Sequence, residues 1–113
     1  MNKLFVSCPM RGRTQADIEV TISKMHAIAE KIFDKELKLV NSYDPNMWVP
    51  TGANEQIFAL SRSLQFMSKA DYFIGIREPH DWHGCLIESI VAISYGLKHT
   101  KIDAEIVMPD LQS

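Results

Sequence analysis

Short apolar runs alternate with longer segments of helical periodicity along the 113 residues, and this alternation constrains the fold more than any other feature. The runs fall at residues 4–7, 37–41, 71–76 and 101–108, and each is short enough to be a buried strand. Between the first two lies a helical segment, 14–33. Ile18, Ile22, Met25, Ala29 and Ile32 recur there at spacings of four, three, four and three, which makes one apolar face. Thr14 opens this helix, with Asp17 as the acidic partner of a capping box. Asn54 caps a second helix over 55–68, with Ile57, Leu60, Leu64 and Met67 as its stripe. A third helix runs within 81–96, closed by Gly96. The order β-α-β-α-β-α-β predicts an α/β chain: a single small Rossmann-like or flavodoxin-like three-layer domain spanning 1–113. Its sheet should be mostly parallel, of four to five strands, with helices on both faces.

Size and charge narrow the function classes. A chain of this length buries one core and little else. The net charge of −2 gives no electrostatic reason to expect nucleic-acid binding. No apolar run approaches the roughly 20 residues of a membrane span, so the expected location is the cytoplasm. Cys8 and Cys85 are expected as free thiols there.

In an open α/β sheet the ligand site lies at the carboxyl ends of the strands. That edge should collect residues 8–13, the loop 42–54, the loop 77–83 and the start of the third helix. The stretch SCPMRGRT, residues 7–14, takes a strand through a turn at Gly12 into a helix. Helix N–H groups with Arg11 and Arg13 suit a phosphate or another anion, though an ordinary βα turn with two solvated arginines fits equally. It lacks the endings of a P-loop or a dinucleotide fingerprint.

The third helix reads HGCLIESIVAISYG, with Glu88 among apolar residues. A carboxylate there is costly unless it is paired, hydrogen-bonded or protonated. Either it is a nucleophile or general base facing a cleft, with Gly84 allowing close approach, or it is a buried Glu paired with an arginine such as Arg11. His80, Asp81, His83 and Cys85 are zinc-binding types, but their spacing matches no strong metal signature, and a polar loop is the favoured reading. Tyr43 could stack on a base or pack its loop. Trp48 is expected in packing or a subunit contact.

SCPMRG after the first strand, the KADYFIGI strand, and a Trp-containing loop into HGCLIESIVAISYG together resemble the nucleoside 2-deoxyribosyltransferase superfamily, which includes deoxynucleoside 5′-monophosphate N-glycosidases. Closer still is a group of short phage, prophage and Firmicutes proteins with S-x-P-M-x-G near the start and G-x-x-x-E-x-x-x-A-x-x-x-G near the end. The resemblance covers about residues 3–102. It implies that Glu88 attacks the anomeric carbon of a 2-deoxyribosyl group and that water or a second base resolves the intermediate. It further implies that Cys8, Pro9, Met10, Arg11, Gly12 and Arg13 hold the sugar or its 5′-phosphate; on the reading of the residues themselves, Tyr43, Trp82 and Gly84 are expected to complete the substrate site. Asp81 or His83 would handle protons at the leaving base, and Asp71 is read as structural. No cofactor or metal is implied. The expected partners are a nucleoside or nucleotide and further copies of the chain, as a homodimer or larger, with no nucleic-acid polymer and no membrane.

Three positions depart from characterised members. Phe5 stands where they have tyrosine, Ser63 where they have aspartate, and Trp82 where they have serine or aspartate. A non-catalytic nucleotide-binding or sequestering protein, of phage or prophage origin, is therefore the alternative. An interaction module with a vestigial pocket is the third reading.

Overall fold

The computed structural model describes residues 2–40, 44, 46–79, 81–108 and 110. Tyr43 and His80 lie outside them. Four strands, β1 (Lys3–Val6), β2 (Lys38–Leu39), β3 (Tyr72–Ile76) and β4 (Lys98–Ile102), form one sheet in the order β2-β1-β3-β4. Every pairing is parallel, with Leu4 opposite both Leu39 and Tyr72, and Phe73 opposite His99. The α/β architecture expected from alternation is the one observed, with four strands. Helices α1 (Gln15–Phe33), α2 (Glu55–Met67) and α3 (His83–Ser94) connect the strands, and a short α4 (Ala104–Val107) follows β4.

Local signals account for the boundaries. Thr14 Oγ1 accepts from the Asp17 N–H at 3.1 Å, and Asn54 Oδ1 from the Ile57 N–H at 2.9 Å. Gly96, at φ +81°, follows α3 in the left-handed conformation that ends a helix. Asp71 accepts from the Lys3 N–H at 3.1 Å, which ties β3 to β1 at the edge opposite the carboxyl ends of the strands. Its role is structural.

The last element differs from expectation. The strand occupies 98–102 rather than 101–108, and the apolar residues after it belong to α4 and its end. As an edge strand, β4 (KHTKI) carries polar side chains that an apolar-run criterion passes over. Val107 and Met108 are fully buried because they dock beneath α1, not because they extend the sheet.

Strand side chains alternate between the two faces of the sheet. Leu4, Val6, Tyr72, Ile74 and Ile76 pack with Ile18, Ile22, Met25 and Ala29 of α1. Phe5 and Phe73 point the other way, rings stacked at 6.0 Å, and meet Met67, Ala70 and Ala92 near α2 and α3. Ile32, expected on the buried stripe of α1, is half exposed.

Candidate functional site

The chain runs from β1 to β2 in one direction across the sheet and from β3 to β4 in the other, so strand order reverses between β1 and β3. At the carboxyl ends of those two strands lies a cavity of about 370 Å³, within the range of small-molecule sites. The residues after β1 form one wall: Cys8, Pro9, Met10 and Arg11. Helix α2 forms a second through Ile57, Leu60 and Ser63. The loop before α3 and its first turns close the third with Asp81, Trp82, His83, Gly84, Cys85 and Glu88.

Helix α3 is turned against its composition. The residues it buries are Cys85, Glu88, Ser89 and Ala92, spaced three, one and three apart. Its isoleucines, Ile87, Ile90 and Ile93, are 39–55% exposed. The face toward the sheet is therefore small and polar, which leaves room for the cavity beside it.

Glu88 is 7% exposed and lines the cavity. Its partner is a hydroxyl rather than an arginine: Ser7 Oγ donates to Glu88 Oε1 at 2.7 Å. Among the described residues the ion pairs are Arg13–Asp110, His26–Glu30 and Arg77–Asp103, and none involves Glu88. Burial pushes the Glu88 carboxyl from an ordinary value near 4.5 up to about 7, while hydrogen bonding from Ser7 and Ser63 opposes the rise. Near neutral pH the site thus holds carboxylic acid and carboxylate in comparable amounts. Burial also raises the two thiols, Cys8 to about 11 and Cys85 to about 12, so both stay protonated.

The structure divides the turn after β1. Met10 and Arg11 reach the cavity rim, exposed. Arg13 does not reach it. Its guanidinium donates to both Asp110 oxygens at 3.0 Å, to the Pro9 carbonyl at 2.8 Å and to Thr21 Oγ1 at 2.6 Å. This cation braces the turn against α1 instead of facing a ligand, and its hydrogen bond holds the Asp110 carboxyl below its ordinary value. Gly12, at φ +74°, shapes the turn, in which the Arg13 N–H bonds the Met10 carbonyl at 3.1 Å, and it too lies off the cavity. The Cys8 thiol turns toward α1, within 4.0 Å of the Ile18 carbonyl. Gly84 lines the cavity with open space where a side chain would sit.

Ser7 was not legible as a site residue, because its role is a contact across 81 positions. The one local signal is a hydroxyl where the alternation of β1 would put an apolar side chain on the Phe5 face. Ile57 and Leu60, expected in the core stripe of α2, line the cavity instead, and Ile57 is 67% exposed. Among the described residues no three His, Cys, Asp or Glu side chains converge as metal ligands, and no helix is long and apolar enough to cross a membrane. The chain matches no protein-family model, no curated protein and no solved structure.

Proposed function

We propose that the chain is an N-glycosidase or deoxyribosyltransferase acting in the cytoplasm on a nucleoside or nucleoside 5′-monophosphate. The observation that carries this reading is Glu88: a carboxyl with no cationic partner among the described residues, held by a serine on the wall of a ligand-sized cavity at the switch point of the sheet. A structural carboxylate at such depth would be expected to have a cation beside it.

In the reaction, a Glu88 oxygen pair forms a bond to the anomeric carbon as the carbon–nitrogen bond breaks. The bonding pair leaves with the base, which takes a proton from Asp81 or His83 at the rim. Water, or a second base, then attacks the same carbon, giving its proton back to the Asp81 or His83 side chain that lost one, and the carboxylate departs. Arg11 pairs with a 5′-phosphate, and the indole of Trp82 with Met10 and Leu60 offers apolar surface to the base. Arg13 supports the turn that carries Arg11.

The isoleucine row on α3 runs from the cavity rim, at Ile87, outward to Ile93 and supports a homodimer or larger assembly. Sedimentation at micromolar concentration should give at least twice the monomer mass.

One observation favours a second reading. The Glu88 carboxyl, raised to about 7, is a hydrogen-bond donor in its protonated half near neutral pH, and such a site could hold an intact nucleotide, as a sequestering protein would. Incubation with deoxynucleosides, their 5′-monophosphates and related N-glycosides, followed by chromatography of free base, separates the two. Base release by wild type and none by Glu88→Gln is the expected result. Recovery of every substrate intact, with a ligand-dependent rise in melting temperature, would replace the enzyme by the binder.

A further inference from the structure

We propose that Ser7 is the positioning residue of this site: from behind the cavity its hydroxyl holds one Glu88 oxygen and leaves the other to meet the substrate. The inference rests on the glycosidase reading for its catalytic consequence, but not for its geometry.

Ser7 is fully buried and does not line the cavity, so it cannot touch a ligand. Its backbone is fixed, because its N–H donates to the Ile74 carbonyl at 2.9 Å and extends the β1–β3 pairing by one residue. Its side chain lies on the Phe5 face of the sheet, toward α3, where Oγ meets Glu88 Oε1 at 2.7 Å. A hydroxyl has one proton to give. The Ser7 proton goes to Glu88, at 2.7 Å. The Cys85 thiol, held protonated by burial, is a further hydrogen-bonding neighbour of Ser7. The titratable and charged groups around the carboxyl are the Cys8 and Cys85 thiols in the walls and Asp81, His83 and Arg11 at the rim. Ser63 approaches from α2.

The consequence for chemistry follows from which oxygen is held. When the free oxygen bonds the anomeric carbon, Oε1 becomes the carbonyl oxygen of the glycosyl ester and keeps its Ser7 hydrogen bond. When the ester is cleaved and the electron pair returns to the carboxylate, the same donor receives the developing charge. Hydrogen bonding to the charged form also favours ionisation.

The test is a carbon-13 NMR titration of the Glu88 carboxyl in wild type, Ser7→Ala and Ser7→Cys, with no ligand present, beside the pH profile of base release. Ser7→Cys keeps the buried volume and substitutes a weak donor, so it reads the effect even if the alanine variant folds poorly. The Glu88 midpoint should rise by at least about half a unit in each variant, a roughly threefold fall in the ratio of carboxylate to acid. The acid limb of the rate profile should move with it, with kcat falling and KM unchanged. A midpoint that stays in place in both variants overturns the proposal, whether or not base is released. A midpoint that moves in a protein releasing no base upholds the Ser7–Glu88 coupling and removes the glycosidase reading instead.

Discussion

The two faces of one sheet are built to different ends. Among the described residues, 14 buried ones on the α1 face form a continuous cluster from Leu4 to Met108, sealed by α4 and by the Arg13–Asp110 brace. On the face covered by α2 and α3, the buried cluster of described residues has five members, and α2 itself buries only Met67. What the second face has in place of apolar contact is a set of polar groups at the strand ends: Ser7, Ser63, Glu88 and Ser89. One face carries the stability and the other carries the site. Because they share strands, the first supplies the backbone on which the second can keep a buried carboxyl with no counter-ion among the described residues.

The sharpest way to break this comparison is to remove equivalent bulk from each side. Ile74 is fully buried in the middle of β3 on the α1 face. Ile74→Ala should cost about 3–4 kcal/mol, the transfer term plus the cavity it leaves. Leu64, half buried beneath α2, should cost about 1–2 kcal/mol as alanine, because part of its surface is already in water. Urea unfolding of the two variants measures both. Equal losses would show that the thin face bears as much load as the thick one.

Glu88 itself should be a net burden on folding. Its carboxyl titrates near 7 in the folded chain and near 4.5 when unfolded. Between those values the folded state retains a proton that the unfolded state has lost, so stability falls as pH rises from about 4.5 to 7 and is flat above. The shift corresponds to about 3 kcal/mol. Glu88→Gln keeps a hydrogen-bond acceptor for Ser7 and removes the titration. It should gain about 1–3 kcal/mol over wild type at pH 8, and the gain should vanish below pH 4.5. A gain independent of pH would mean that packing, not charge burial, separates the two.

How much of this was legible depends on range. Thr14, Asn54 and Gly96 act on residues within one helical turn, and the sequence marks all three helix ends. Glu88 stood out because a carboxylate among isoleucines violates a local rule. The orientation of α3 was hidden for the same reason that its apolar content was obvious. With apolar residues on every side, periodicity could not say that Cys85, Glu88, Ser89 and Ala92 face the sheet while the isoleucines face outward. Arg13 reads in sequence as the twin of Arg11. Only the arrival of Asp110 from 97 residues away separates a brace from a rim cation. Tyr43 falls outside the described residues, and its place at the site stays a sequence expectation.

The smallest effect belongs to Ser89, next to Glu88 and facing the sheet. Its hydroxyl is buried and has no hydrogen-bond partner among the described residues. It sits over Gly75, where an added Cβ would lie 3.2 Å from Ser89 Oγ and 2.8 Å from the Phe73 ring. Gly75 thus lets α3 approach β3 closely, and the Ser89 hydroxyl lies where a larger residue on β3 would crowd it. An unpaired buried hydroxyl costs on the order of 1 kcal/mol or more, while its removal opens only a small void. Ser89→Ala should therefore raise stability by about 0.5–1 kcal/mol without moving the Glu88 midpoint, since Ser7 and Ser63 remain. A loss of stability instead would show that the hydroxyl finds a partner in solution, and the polar character of this face would then extend beneath α3 rather than stopping at the cavity wall.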